Sequence, residues 1–141
     1  MSTREAFVDT TVFVAAAFPK ERHHKEGAEI VASIEEGRLG KPTVTDYIVD
    51  EVATFTRRKK GARASIEVLE ALLYSPRLRL VKVTERHFEA GIQLFKTYER
   101  LSFTDAASVA VMRDLGIETI YSFDSGFDGV PGVVRLAKPE R

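Results

Sequence analysis

The chain has 141 residues and a formal net charge of zero, with 44% apolar and 30% charged side chains, the bulk properties of an ordinary globular domain. It has no cysteine, which excludes disulfides, thiolate metal sites and a cysteine nucleophile together, so any metal must be held by oxygen or imidazole. Zero net charge gives no polybasic signature, so nucleic-acid binding would have to come from a local patch.

No apolar run approaches the roughly 20 residues of a bilayer span. The first five residues lack the basic start and apolar stretch of a signal peptide. A cytoplasmic location, with no membrane partner, is the default expectation.

In chain order, Ala6-Phe7-Val8 is a short apolar strand that stops at Asp9. Thr10 to Phe18 continues apolar until Pro19 ends the segment. His23 to Glu36 reads as a helix, with Gly27, Ile30, Val31 and Ile34 on one side and Gly37 past its end. Pro42 to Thr45 is a second short strand, and Thr45 or Asp46 caps a helix running to about Lys59. Ala62 to Tyr74 is helical and closed by Ser75-Pro76. Leu78 to Val83 alternates as a strand. Thr84-Glu85 opens a helix through about Arg100, and another runs from Asp105 to Leu115 before Gly116. Thr119 to Phe123 is a strand that meets Asp124, and Gly132 to Leu136 is a last one.

Strands separated by helices imply parallel pairing with right-handed crossovers. The expected fold is an α/β sandwich around a central parallel sheet, whose ligand site lies beyond the carboxyl ends of the strands. Asp9 and Asp124 each follow a strand there.

Four acids stand out. Asp9 and Asp124 end strands, Glu51 falls on or beside the apolar stripe of its helix, and Asp105 opens a helix that is small and apolar almost all round. Each has an ordinary explanation: a cap for Asp9, a border position for Glu51, a first-turn acid for Asp105, a turn for Asp124. Four together at one sheet edge are harder to explain so, because clustered carboxylates repel one another unless a cation neutralises them. With oxygen donors alone, that cation is Mg²⁺ or Mn²⁺. Such ions activate water toward phosphorus and neutralise charge on a phosphodiester.

These residues resemble the PIN domain family, particularly the VapC-type toxins of toxin–antitoxin pairs. The resemblance rests on Phe7-Val8-Asp9-Thr10-Thr11, Thr45-Asp46-Tyr47-Ile48-Val49-Asp50-Glu51, Leu101-Ser102-Phe103-Thr104-Asp105 and Tyr121-Ser122-Phe123-Asp124-Ser125-Gly126, in that order. It spans essentially the whole chain. It implies a three-layer α/β/α sandwich with about five parallel strands, formed by residues 1–141 as a single domain. It implies metal-dependent hydrolysis of RNA through Asp9, Glu51, Asp105 and Asp124, with Thr10 and Thr104 supplying hydroxyls near the metal. A small antitoxin partner and a homodimer are implied too. Asp128 is an alternative fourth acid or a supporting one.

Arg57-Arg58-Lys59-Lys60 is the densest basic run. Arg57, Arg58 and Lys59 are candidates for the RNA backbone, although a solvated helix end explains such a run equally well. His23, His24 and His87 read as surface residues, while Phe88, Ile92 and Phe95 have the helical spacing of core. Phe127 either closes the site or packs. No helix face looks surplus to a monomer core. A housekeeping RNA nuclease of the same fold and a non-catalytic binding module are the rival readings, the latter opposed by four intact acids. A phosphatase of another doubly wound fold is opposed by Thr11, where a second aspartate would stand.

Overall fold

The computed structural model describes residues 5–140. The targeting reading of residues 1–4 therefore lies outside the described part. Five three-residue strands, β1 Ala6–Val8, β2 Thr43–Thr45, β3 Arg79–Val81, β4 Thr119–Tyr121 and β5 Val134–Leu136, form one sheet. Their order is β3-β2-β1-β4-β5, and every pairing is parallel. Six helices complete a three-layer α/β/α sandwich: α1 Thr10–Ala17, α2 His24–Glu35, α3 Asp46–Lys60, α4 Ala62–Tyr74, α5 Glu85–Thr97 and α6 Phe103–Leu115.

The first strand pairs with β2 on one side and β4 on the other. The strand order reverses about β1, so the crevice at its carboxyl end is the natural place for a ligand. Residues 6–8 and 119–121 are buried throughout, as strands covered on both faces must be. Gly27 lets α2 approach α1 closely, since a Cβ there would stand 2.8 Å from the Ala15 Cβ. Val31, placed with the inner face of α2, is half-buried at its edge.

Several expectations need correction. Helix α6 begins two residues before Asp105, because Ser102 caps it: Ser102 Oγ accepts the Asp105 N–H at 3.1 Å. Helix α5 stops at Thr97, where Tyr98 turns extended. Its inner face is His87, Gly91 and Leu94, not Phe88, Ile92 and Phe95. The two stripes lie one residue, about 100°, apart on the helix. Gly91 decides between them, since a Cβ there would already touch the Ala107 backbone at 3.4 Å. Phe88 and Phe95 are consequently exposed and flank Phe103, with ring centroids 5.1 and 5.9 Å away. An aromatic face thus lies outside the monomer core.

The histidines are not bland surface either. His87 Nδ1 accepts the Thr84 N–H, so Nε2 carries the proton and donates to Asp114 at 2.8 Å, tying α5 to α6. His24 Nδ1 donates to the Ala15 carbonyl, and His23 stacks on Phe123 at 4.6 Å. Phe127 is fully buried and packs in the core. No helix among the described residues is long and apolar enough to cross a membrane.

Candidate active site

The four acids arrive by four routes. Asp9 follows β1 directly. Glu51 lies in the second turn of α3, which β2 feeds through Thr45, whose Oγ1 accepts the Ile48 N–H at 3.2 Å. Asp105 is in the first turn of α6, and Asp124 follows β4 after Ser122-Phe123. All four line one cleft of about 420 Å³, together with Thr10 and Arg58. A larger cavity, about 630 Å³, lies against α2 and Leu39 and contains none of them.

Asp9 is 2% exposed and does not cap α1 with its side chain, so the ordinary explanation for it fails. Its Oδ2 accepts the hydroxyls of Thr11 and Ser122, each at 2.8 Å. Those hydroxyls are themselves oriented. Thr11 Oγ1 accepts the Phe123 N–H and Ser122 Oγ accepts the Asp124 N–H, both at 3.0 Å. With its lone pair engaged, each hydroxyl turns its proton to Asp9. One network thereby fixes Asp9 and the backbone that carries Asp124.

Asp105 and Asp124 do have ordinary roles as well. Asp105 Oδ2 accepts the Ser102 N–H at 3.1 Å, the return bond of the capping box. Asp124 Oδ1 accepts the Gly126 N–H at 2.8 Å. That turn is tight, since a Cβ at Gly126 would come within 2.7 Å of the Arg100 carbonyl oxygen. Glu51 is half-buried and takes the Thr10 hydroxyl at 2.6 Å, joining α1 to α3.

Burial raises the Asp9 carboxyl above its ordinary range, against the Ser122 and Thr11 hydrogen bonds, and the charge of Asp124 raises it further. Burial, followed by the charge of Asp9, pushes Asp105 up to about 7. The cleft therefore gathers four carboxylates, of which Asp9 and Asp105 have no cation paired with them among the described residues.

Whether a divalent ion suits this set is a question of donors. Every candidate ligand is a carboxylate or hydroxyl oxygen, the hard donors that Mg²⁺ and Mn²⁺ take. Among the described residues no three acidic or imidazole side chains already form a cage. Mg²⁺ does not require one, since it keeps several waters and uses one or two carboxylates. The residues fit such an ion.

The remaining candidates separate. Asp128 is outside the cleft, gripped by Arg135 Nε at 2.8 Å and Nη2 at 3.0 Å. Between the two possible fourth acids, the cleft contains Asp124. Thr104 is half-buried and does not line the cleft, whereas Ser102 does. The basic run splits by helix face. Arg58 lines the cleft, Arg57 Nε donates to Ser65 on α4 at 3.0 Å, and Lys59 Nζ sits 5.8 Å from the Phe55 ring centroid. Lys60 donates to the Ala17 carbonyl and covers Phe18.

Thr11, Ser122 and Ser102 were not singled out from sequence. A capping signal, Ser102 three residues before Asp105, was there to be read. Nothing local marks Thr11 and Ser122, which meet Asp9 only through the pairing of β1 with β4.

Comparison with known proteins agrees with this architecture. Residues 6–133 match the model of the PIN domain family. A VapC ribonuclease of Archaeoglobus fulgidus is 32% identical over 125 residues, 86% of this chain and 78% of that protein. The 23S rRNA-specific endonuclease VapC20 of Mycobacterium tuberculosis is 32% identical over 139 residues, 95% of this chain and 98% of that one. Its crystal structure, described as that of a sarcin-ricin loop cleaving toxin, superposes with a TM-score of 0.77 at 30% identity, over 91% of this chain and 98% of that chain. DNA-bound VapBC from Salmonella typhimurium, at 12% identity and a TM-score of 0.68 over 96% of this chain and 98% of that one, shares the fold.

Proposed function

This chain belongs to the PIN domain family, and from that premise we propose that it is a metal-dependent endoribonuclease, the toxin of a VapBC-type pair. The observation that carries the reading is the meeting of Asp9, Glu51, Asp105 and Asp124 in one cleft at the carboxyl end of a parallel sheet. Support for the toxin role comes from relatives named VapC ribonuclease and 23S rRNA-specific endonuclease VapC20. The protein acts as a single domain in the cytoplasm, with a small antitoxin as its partner. The face made by exposed Phe88 and Phe95 around half-buried Phe103 suits a homodimer contact.

In this reading Asp9, Glu51, Asp105 and Asp124 hold Mg²⁺ or Mn²⁺. The ion, when bound, lowers the pKa of water and neutralises charge on the phosphodiester. Asp9 is kept in place by Thr11 and Ser122, and Glu51 by Thr10. Arg58 draws the RNA backbone toward the acids.

The test is cleavage of pooled RNA with Mg²⁺ or Mn²⁺ and with chelator, followed by mapping of the cut ends. Asp9→Asn, near in shape and without the charge, should lower the rate by roughly 10³-fold or more while the circular dichroism spectrum is unchanged. Full activity in chelator, or in Asp9→Asn, would remove the assignment. Growth arrest on expression, relieved by the product of an adjacent short reading frame, separates a toxin from a housekeeping nuclease.

A further inference from the structure

We propose that α3 carries a nucleotide-reading stripe, in which Phe55 stacks on a base next to the scissile phosphate and Arg58 holds the adjoining phosphate; this rests on the ribonuclease reading above. Glu51, Phe55 and Arg58 follow one another at i, i+4 and i+7. They therefore occupy one face of the helix in successive turns, each about 5.4 Å further along the axis. All three line the acid cleft. Carboxylate, ring and guanidinium thus run outward from the acids on the scale of one or two nucleotides.

Ion binding explains the acids and the hydroxyls but not the ring. Val14 and Phe55 are the apolar side chains lining a cleft otherwise walled by acids, hydroxyls and Arg58. Phe55 is half-buried. Phe18 braces it edge-on, with centroids 5.2 Å apart and planes at 82°, so the ring is held rather than loose. Lys59 adds positive charge over it at 5.8 Å. A braced aromatic ring flanked by cations is the usual seat of an unstacked base. Arg58 makes no hydrogen bond or ion pair among the described residues, unlike Arg57 and Lys60, and its guanidinium is open to a phosphate.

Cleavage is first mapped on purified ribosomal RNA, and an oligoribonucleotide spanning the cut then gives kcat and KM. Phe55→Ala should raise KM roughly five- to 150-fold with a smaller change in kcat. Phe55→Trp should keep the wild-type KM. Phe55→Leu, which retains bulk against Phe18 but has no π face, should resemble Phe55→Ala. An abasic nucleotide beside the cut, placed on each side in turn, should at one position bring wild type down to the Phe55→Ala level. If Phe55→Ala does not fold, the leucine and tryptophan variants carry the comparison alone.

Equal KM for wild type and the leucine variant overturns the inference, because Phe55 would then be packing. An alanine or leucine defect that no abasic substrate abolishes overturns it too. So does a variant with unchanged KM but lost affinity for an inhibitory protein, which would make the ring a protein seat. Wild-type protein that cuts no RNA overturns the ribonuclease reading itself and the inference with it.

Discussion

Two sets of aspartates in this molecule have opposite surroundings. Asp114 and Asp128 stand on the outer surface, each beside an arginine. Asp114 meets His87 and Arg86, Asp128 meets Arg135, and these partners hold both carboxyls below the ordinary range, chiefly by hydrogen bonding. Asp9 and Asp105 lie at the end of the sheet among hydroxyls and backbone N–H groups. Among the described residues no cation is paired with either, and burial holds both above the ordinary range. What distinguishes the cleft is therefore not the presence of acids, which stand elsewhere on the surface too, but that Asp9 and Asp105 have no paired cation. A buried carboxylate without a cation is costly, a cost that the proposed divalent ion would offset.

The sharpest way to break this comparison is to remove a donor that replaces the missing cation. Ser122 Oγ gives its proton to Asp9 and accepts from the Asp124 backbone. Ser122→Ala should lower RNA cleavage by about ten- to hundredfold and move the acid limb of the pH–rate profile to higher pH, because a hydrogen bond that lowers the Asp9 pKa is gone. Ser122→Thr should restore both. A variant whose rate falls while its pH profile stays in place would make Ser122 a packing residue only.

The same contrast explains what the sequence disclosed. Acids that end strands or sit inside apolar stretches, as Asp9, Glu51 and Asp105 do, are visible because the anomaly is local. The parallel sheet was legible from short stretches of strand pattern spaced by helices, although all but the first extend beyond the three-residue strands they contain. Asp124 and Asp128 could not be told apart, because the difference is made by Arg135, seven residues beyond Asp128, reaching back across the turn. Thr11 and Ser122 were invisible because their role depends on a contact 111 residues apart in the chain. The inner face of α5 was misread because two adjacent stripes both have helical spacing, and Gly91, an unremarked small residue, selects between them.

A second test reads stability rather than rate. The folded-state pKa of Asp105 is about 7, above the roughly 3.9 of an unfolded aspartate. Between those values the folded state binds more protons than the unfolded one, so stability falls as pH rises from about 4 to about 7 and then levels. Burial gives Asp9 the same sign. In chelator, the melting temperature should drop by about 5–10 °C between pH 5 and pH 8 from these groups. Asp105→Asn should flatten that slope, and Mg²⁺ or Mn²⁺ at pH 8 should recover the loss in wild type. Melting that is independent of pH and of the ion would show the carboxylates to be compensated after all.

The smallest expected effect falls on the other side of the comparison. Arg135 grips Asp128 with two nitrogens and also donates through Nη1 to the Ser122 carbonyl at 3.1 Å. Asp128 therefore reaches the cleft through Arg135, by way of the Ser122 carbonyl and the charge of Asp124, and solvent screens part of the charge that its removal leaves on Arg135. Asp128→Asn should change kcat/KM by less than about twofold and leave the pH profile in place, since exposed ion pairs contribute little. Asp124→Asn, four residues earlier and inside the cleft, should cost roughly 10²-fold or more. The two variants differ by one position each and remove the same charge. If Asp128→Asn proves the more damaging of the pair, the turn at Ser125–Gly129 rearranges when substrate or ion binds, and the fourth acid is Asp128.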